Sequence, residues 1–319
     1  MSLYYPYSAY LKNKYGKKTY KLPVNLPVSC PNRDGNLGTG GCAFCGEEGA
    51  GFETLPAEFT VREQLEKNRH YIGEKYGTEL FIAYFQNFSN TYLPLEKLKD
   101  FIRESLEIEG IVEISLSTRP DCVSEEYMGE IKKLISKVKP GVNLSLEMGL
   151  QTVNYHTLST LNRGHTLAEF IDALQVARKY GIEVGTHLIL NLPGDDMLDV
   201  MENARILSAL KVDNVKLHAL YIREDTELGR KYLKGLLKMI SLDEYIERVI
   251  TFLEYLDPGI AVQRLLGRAP EEKSLFANWD HSWWKIQDMI LKEMERRGSF
   301  QGKKFNYLNG KALRKFQKR

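Results

Sequence analysis

The sequence contains no run of eighteen apolar residues, so it predicts no membrane-spanning helix. The first residues, Met-Ser-Leu-Tyr-Tyr-Pro-Tyr, include no apolar stretch of the kind that a secretory signal peptide requires. Cysteine is scarce: the chain has four in 319 residues, and three of them stand in one loop. A disulfide within that loop would leave one thiol over, which fits the reducing cytoplasm better than secretion. The sequence therefore predicts a cytoplasmic protein with no membrane contact, and it gives no oligomeric state.

Acidic residues are absent from both ends of the chain, although the net charge is only +2. Residues 1–21 hold five lysines and six tyrosines, and residues 296–319 hold nine lysines or arginines. Subtracting these fourteen from the 44 basic residues leaves 30 against 42 acidic ones, a net −12 for the middle. Two basic ends around an acidic body suggest a polyanionic partner, nucleic acid above all, although basic ends that are only solvated explain the pattern equally well.

A glycine-rich loop near the start of the chain carries Cys30, Cys42 and Cys45. The last two form a Cys-x-x-Cys pair, and eleven residues separate the first from that pair. Three cysteines can hold a [4Fe–4S] cluster and leave one iron open to another ligand. This pattern therefore predicts an iron–sulfur centre and an enzyme.

Zinc is the alternative metal for this loop. A structural zinc site needs four protein ligands, which Cys30, Cys42, Cys45 and His70 could in principle supply. Zinc ligands usually come as two close pairs, however, and Cys30 has no near partner. Ligand spacing and softness favour the iron–sulfur interpretation.

Apolar segments alternate with amphipathic ones from residue 22 to residue 220. The predicted strands cover residues 22–28, 79–86, 111–117, 142–148, 183–190 and 213–220, with helices at 60–75, 95–106, 124–137, 167–180 and 196–210. Such alternation indicates a parallel sheet with right-handed crossovers, and six units predict an α/β fold, a partial (β/α)6 barrel of the TIM type. Beyond residue 221 a helix at 242–256, a short strand at 260–265 and a helix at 282–296 predict a C-terminal α+β extension.

The carboxyl ends of barrel strands are where functional side chains usually lie. The cysteine loop follows the first predicted strand, and each later strand brings polar residues toward the same mouth. Glu147 ends an apolar strand, where a buried carboxylate is costly unless it contacts a ligand or partner. Other polar residues at or near strand ends include Gln86, Asn87, Arg119, His187 and His218.

Taken together, these features resemble the radical S-adenosylmethionine (SAM) enzymes. The long gap after Cys30 resembles their Elongator-like branch and, within it, the YhcC/YtqA-type proteins of bacteria and archaea. The resemblance covers residues 20–275. It rests on Cys-Pro-Asn-Arg-Asp-Gly at 30–35, Thr-Arg-Pro-Asp at 118–121, Leu-Glu-Met-Gly-Leu-Gln at 146–151, Asn-Arg-Gly-His at 162–165 and Val-Gln-Arg at 262–264.

The resemblance implies two cofactors, a [4Fe–4S] cluster and SAM. Cys30, Cys42 and Cys45 would hold the cluster, whose open iron would bind the amino and carboxylate groups of SAM, and one electron would release a 5′-deoxyadenosyl radical. The implied SAM contacts are Gln86 and Asn87 near the amino group, Glu147 at the ribose, Arg163 at the carboxylate, Leu188 and Ile189 beside the adenine, and Phe44 over the cluster or adenine.

No catalytic residue is assigned, and Cys122, His187 and His218 have no settled role. Cys122 belongs to another strand end and is not expected to ligate the cluster. Trp279, Trp283 and Trp284 are expected to pack rather than to stack on bases. The predicted organisation is a basic Tyr/Lys-rich segment at 1–21, a barrel at 22–221 with the cluster loop at 30–45, an extension at 222–295 and a basic tail at 296–319.

The favoured function is radical modification of a tRNA base, because relatives in the Elongator-like branch modify wobble uridines and both ends of this chain are basic. A reductant such as flavodoxin or ferredoxin is the other expected partner. Elongator's catalytic subunit carries an acetyltransferase domain for which 319 residues leave no room, so carboxymethylation fed by acetyl-CoA is not predicted. Two alternatives remain: a radical SAM enzyme acting on a small molecule or protein, and a non-catalytic, metal-stapled nucleic-acid-binding module.

Overall fold

The computed structural model describes residues 2–46, 49, 54–270 and 272–316. Its main sheet has seven parallel strands in the order β1 (Thr19–Val24), β2 (Leu80–Phe85), β3 (Ile111–Thr118), β4 (Asn143–Gln151), β5 (Glu183–Ile189), β6 (Asn214–His218) and β8 (Ala261–Arg264). A small antiparallel sheet pairs β7 (Ile222–Arg223) with β9 (Ser274–Phe276). Since each strand of the main sheet pairs with the one before it, the sheet curls in one direction into a half-barrel.

Helices follow most of the strands and cover the outside of the sheet. They are α2 (Val61–Tyr76), α3 (Leu95–Leu106), α4 (Glu125–Val138), α5 (Tyr155–Thr160), α6 (Leu167–Lys179), α7 (Met197–Leu210) and α9 (Leu242–Tyr255), with α1 (Tyr7–Tyr15), α8 (Glu227–Leu233) and α10 (Trp283–Arg296) outside this series. Their starts carry local signals: the side chain of Thr60 accepts from the amide of Glu63, and Thr166 and Glu169 form a second capping box. Within the described ranges, no helix is long and apolar enough to cross a bilayer.

The partial barrel expected from the sequence is confirmed, with two differences at its edges. The first strand ends at Val24, because the amide of Asn25 leaves the sheet and donates to Gln64 Oε1 at 2.8 Å. Pro23 is tolerated because β1 is an edge strand. The short strand expected at 260–265 pairs with β6 and adds a seventh strand to the barrel.

The two faces of the sheet differ in polarity. On β4, Leu144, Leu146, Met148 and Leu150 are buried in the hydrophobic core that includes the apolar faces of the covering helices. Glu147, on the opposite face of the same strand, lines an internal cavity. Because side chains alternate along a strand, the hydrophobic effect holds the helices outside while polar groups collect in the lumen.

The N-terminal segment packs beneath the barrel, at the amino ends of the strands. On α1, Lys14 Nζ lies 2.9 Å from Glu113 of β3 and 2.6 Å from Glu183 of β5, and Tyr10 donates to Glu183 at 2.7 Å. Lys21 of β1 points into the lumen. The expectation that this segment offers its basic groups to a polyanion is therefore wrong for Lys14 and Lys21, because buried carboxylates already hold them.

The basic tail divides into a packed part and an exposed part. Arg296 and Arg297 pair with Glu293, and Lys304 pairs with Glu254. Tyr307 donates to the carbonyl of Tyr255 at 2.6 Å, so the chain remains packed against α9 to that point. The other basic residues of the tail that the structure describes, Lys303, Lys311, Arg314 and Lys315, are exposed, and Lys303 lies 4.0 Å from Glu254.

Candidate metal centre and active site

The cysteine loop closes one side of a cavity of about 210 Å³ at the mouth of the barrel. Cys30, Cys42 and Cys45 are free thiols and all line this cavity. Tight turns follow Cys30 and Cys42, since the amide of Arg33 donates to the Cys30 carbonyl at 2.8 Å and that of Cys45 to the Cys42 carbonyl at 2.9 Å. The loop therefore presents three thiols to one space, as its sequence predicts.

The chemistry of this space suits anionic sulfur. Arg163 Nη1 donates to Cys42 Sγ at 3.0 Å. Burial raises the pKa of the Cys42 thiol, but the positive charges of Arg163 and Arg119 outweigh it, so the pKa lies below its usual value. Burial and the neighbouring Cys42 raise the pKa of Cys45. A thiolate at Cys42 is thus stabilised by the protein itself.

His70, the proposed fourth ligand of a zinc site, does not lie with the three cysteines. His70 lies on α2 with its side chain 78% exposed and its Nε2 3.5 Å from Glu74, and it does not line the cavity. Among the described residues, no three His, Cys, Asp or Glu side chains are placed to share one metal ion. Cubane ligation makes no such demand, because each thiolate binds a different iron. The donor set of three separate thiols fits a cluster.

Cys122 lies outside this cavity. It ends the short turn Pro120–Cys122, its Sγ is 3.9 Å from Asp121 Oδ1, and it lines a neighbouring cleft of about 290 Å³. Burial raises its thiol pKa to about 11. Its place agrees with the expectation that it does not belong to the cysteine set.

Glu147 stands at the centre of a buried ion cluster in the opposite wall. Its carboxylate pairs with Lys21, accepts from His187 Nε2 and Gln263 Nε2 at 2.7 Å each, and lies 3.5 Å from Lys216. Burial raises the pKa of Glu147, but Lys21, Lys216 and His187 hold it well below its usual range. Glu147 lies four residues before the end of β4, inside the sheet. Protein donors already contact the carboxylate oxygens that were expected to face a ribose.

Arg163 lies beside the cysteine loop rather than at the far wall. Its Nη2 donates to the carbonyl of Gly149 at 2.8 Å, while Nη1 serves Cys42. Its Nε is buried without a partner among the described residues. Nε is therefore the atom still open for the carboxylate contact expected of this arginine.

The other expected SAM contacts are only partly brought together. Gln86 and Phe44 line the cavity, and the Phe44 ring centroid is 5.9 Å from the Arg163 guanidinium. Asn87 does not line it, and its Nδ2 donates to Asn25 Oδ1 at 3.2 Å.

The two candidates on β5 separate for a simple geometric reason. His187 of that strand lines the cavity, so the next side chain, Leu188, lies in the outer hydrophobic core. The expected adenine contact of Leu188 therefore does not match its position. Ile189 belongs to the small apolar cluster against which Phe44 packs, but it does not line the cavity itself.

Sequence reasoning gave no role to several groups in the cavity wall. Lys216 of β6 lies 3.1 Å from the Tyr84 hydroxyl, and burial lowers its pKa to about 7 against the opposing pull of Glu147. Arg264 Nη2 lies 2.9 Å from His218 Nδ1. Since a guanidinium can only donate, the His218 proton sits on Nε2. Polar residues at alternate positions of apolar strands, such as Lys216 and His218, were the available signal.

Three hydrogen-bond donors of residues that line the cavity are unsatisfied. The Nε atoms of Arg163 and Arg264 and Nε2 of His218 are buried without a partner among the described residues. Unsatisfied buried donors are costly, and they are accounted for when a ligand brings acceptors. A carboxylate, ribose oxygens and purine nitrogens are such acceptors, so the cavity suits SAM beside the thiols.

Comparison with known proteins places the chain in a family. Residues 30–207 match the Radical SAM superfamily, and residues 212–296 match the Radical_SAM C-terminal domain. The chain is 33% identical to protein YtqA of Bacillus subtilis over 305 residues, covering 96% of this chain and 94% of that protein. It is also 31% identical to the tRNA uridine(34) acetyltransferase of Methanocaldococcus jannaschii, over 154 residues that make up 46% of this chain and 26% of that enzyme.

The fold has a counterpart among solved structures. The archaeal Methanocaldococcus infernus Elp3 superposes with a TM-score of 0.69 at 19% identity, covering 89% of this chain and 64% of that one. At this identity the similarity shows a shared fold. The sequence matches also show family membership, because together they cover both the barrel and the segment that follows it. The chain belongs to the radical SAM superfamily, and it is a radical SAM enzyme.

Proposed function

We propose that this enzyme holds a [4Fe–4S] cluster on Cys30, Cys42 and Cys45 and uses it with SAM to modify a base of tRNA. Membership in the superfamily implies the cluster and SAM. The observation that carries the ligand assignment is the convergence of three free thiols on one cavity from which the fourth cysteine is absent.

The protein's own groups have separate tasks around the cofactors. Arg163 offers its unpartnered Nε to the SAM carboxylate, and Gln86 offers its amide near the SAM amino group. Phe44 and Ile189 form the apolar side of the adenine site. The Glu147 carboxylate accepts hydrogen bonds from the ribose hydroxyls. Protein donors already contact its oxygens, so this role requires one of those donors to move.

Held by the three cysteines, a cluster would supply, together with SAM, the one-electron chemistry for abstracting a hydrogen atom from the substrate. The protein keeps water and stray hydrogen donors away from this chemistry. Helix α1 lies against the amino ends of the strands, and the cysteine loop covers part of the mouth. The electron requires a soluble donor, for which we propose a flavodoxin or ferredoxin.

The tRNA substrate is supported by remote relatives and by one surface feature. One matched relative is named a tRNA uridine(34) acetyltransferase, and the fold matches an Elp3. Only about a quarter of that acetyltransferase aligns with this chain, so acetyl transfer is not part of the proposal.

The surface feature is a groove of about 470 Å³ beside the cavity. Trp283 and Trp284 line it and are 42% and 60% exposed, contrary to the expectation that they pack. Only Trp279 packs as expected, donating to the carbonyl of Ile240 at 2.7 Å. Arg268 lines both the groove and the cavity, and this shared residue supports the proposal that stacked bases approach the reacting centre along the groove.

Nucleoside mass spectrometry of bulk tRNA tests this proposal, using cells with the gene, without it, and complemented with Cys45→Ala or Cys122→Ala. We expect one nucleoside to disappear and its precursor to accumulate in the deletion and in the Cys45→Ala strain. Complementation with Cys122→Ala restores the nucleoside. Identical profiles in all strains would overturn the tRNA assignment and point to a small-molecule or protein substrate.

A further inference from the structure

Each cysteine of the loop has its own arginine. Arg119 Nη1 lies 4.0 Å from Cys30 Sγ, and Arg33 Nη2 lies 3.3 Å from Cys45 Sγ. Arg163 Nη1 completes the set at 3.0 Å from Cys42 Sγ. The three arginines come from separate parts of the chain, namely the cysteine loop, the end of β3 and the segment between α5 and α6. Three independent segments thus deliver one positive charge to each sulfur.

These guanidinium groups are fixed in place. Arg119 is 4% exposed and pairs with Asp121 through Nε at 2.8 Å and Nη2 at 2.6 Å. Arg163 is 7% exposed and is held by the Gly149 carbonyl. Arg33 donates to the carbonyl of Cys45 at 2.9 Å and to that of Gly46. The orientation of each arginine therefore does not depend on its sulfur contact alone.

The two most deeply buried of these charges do not balance without an anion in the site. Among the described residues, Asp121 is the only carboxylate that pairs with Arg119 or Arg163. Burial, and after it the charges of Arg163 and Arg119, lower the pKa of neighbouring His165 to about 2, so this side chain adds no further positive charge. Buried guanidinium groups are costly unless paired, so this cluster of charges is built to face negative charge.

We propose that Arg33, Arg119 and Arg163 form a cationic cage that raises the reduction potential of the cluster bound to the three cysteines. The inference rests on the proposed ligand set. A dicationic [4Fe–4S] core with three thiolates carries one net negative charge, and a second after accepting an electron. Fixed positive charge stabilises the reduced state more than the oxidised state, which makes the electron transfer easier.

The test is an EPR-monitored redox titration of the anaerobically reconstituted full-length protein. Arg33→Gln and Arg163→Gln remove a charge, whereas Arg33→Lys and Arg163→Lys keep it. We expect each glutamine variant to lower the ratio of reduced to oxidised cluster at a fixed potential about tenfold, equivalent to about 59 mV for one electron. The lysine variants should stay near the wild-type potential, and Arg205→Gln on α7, which pairs with Glu202 at the surface, serves as the control.

Three outcomes are decisive. Wild-type potentials in glutamine variants that retain four irons overturn the cage. If a glutamine variant assembles no cluster, its lysine counterpart decides: assembly at the wild-type potential supports the role of charge, and a strongly shifted potential contradicts it. If the wild-type protein binds no cluster, the proposed ligand set itself fails, and the iron content shows this before any potential is measured.

Discussion

At the scale of single residues, the two walls of the cavity share one charge pattern, an acidic group among basic side chains. The Glu147 carboxylate is surrounded by Lys21, Lys216 and His187. Across the cavity, arginines surround thiols. Each wall places buried groups of one sign among partners of the other, which is the condition under which buried charge is tolerated.

The cysteine assignment predicts distinct outcomes for two alanine substitutions. Cys45→Ala should abolish the cluster, because the protein then lacks the thiolate that binds one iron of the cubane. Cys122→Ala should retain about four irons per chain, since Cys122 faces a neighbouring cleft. Iron and sulfide analysis with the visible absorption of anaerobic protein measures both. Loss of the cluster in Cys122→Ala would show that the ligand set is wrong.

His187 predicts a pH dependence of stability. Burial lowers its pKa from 6.5 to about 4, so the folded protein keeps it neutral where the unfolded chain binds a proton. The free energy of unfolding should therefore fall as the pH drops from about 6.5 to about 4, by up to roughly 3 kcal/mol from this group.

Urea unfolding at several pH values measures this dependence. His187→Gln should show a flatter profile between those pH values because the titrating group is gone. His70→Gln removes an exposed histidine of α2 and should keep the wild-type slope. An equally steep profile in His187→Gln would assign the pH dependence to another group.

At the scale of elements, α1 closes the amino end of the barrel through contacts of its charged and phenolic side chains. It supplies Lys14, Tyr10 and Tyr15 to two glutamates at the amino ends of β3 and β5. Its apolar contribution is small, with Leu11 its only buried residue. Docking of α1 therefore depends on polar contacts more than the docking of the covering helices does.

Lys14→Ala should destabilise the protein by about 3 kcal/mol, because it leaves Glu113, which is 1% exposed, without its cation. Lys12→Ala, on the exposed side of the same helix, should change the free energy of unfolding by less than about 0.5 kcal/mol. Chemical unfolding of both variants gives the comparison. Equal stabilities would mean that the closure does not depend on this ion pair.

At the scale of the whole molecule, the uneven charge distribution is only partly available to a partner. Lys14 and Lys21 are used internally, and carboxylates hold the first half of the C-terminal tail. The exposed end of the tail remains. A polyanion would therefore meet the exposed Lys12, Lys17 and Lys18 of the N-terminal segment, the tail from Lys311 and the groove beside the cavity, but not Lys14 or Lys21.

Removal of residues 311–319, which contain five basic residues, should weaken tRNA binding and flatten its salt dependence. Every phosphate that the shortened chain no longer neutralises should reduce the log–log salt slope by about 0.7 to 0.9. Fluorescence anisotropy with labelled tRNA over a salt series measures this. Lys133→Ala/Lys137→Ala on the outer helix α4 is the charge control, and a tail deletion with an unchanged slope would show that the tail is only solvated.

The sequence by itself determined the cysteine loop, the repeating strand–helix units and the positions of most element boundaries. These features depend on local patterns: the spacing of thiols, the alternation of apolar residues and the residues that cap helices. The C-terminal strand was visible as a strand, but its pairing with β6 was not, because pairing depends on how far the sheet curls. Leu188 shows what the sequence of a single strand leaves open. Alternate side chains face opposite sides of the sheet, and an unbroken apolar run does not reveal which of them face the lumen.

Only the tertiary structure decided which charged groups meet. Lys21 reaches Glu147 across 126 positions of sequence, Arg163 reaches Cys42 across 121, and Arg119 approaches Cys30 across 89. Such contacts are fixed by strand register and sheet curvature, which no local pattern encodes. The local sequence therefore identified the chemistry of the site, whereas its electrostatic environment depends on the folded chain.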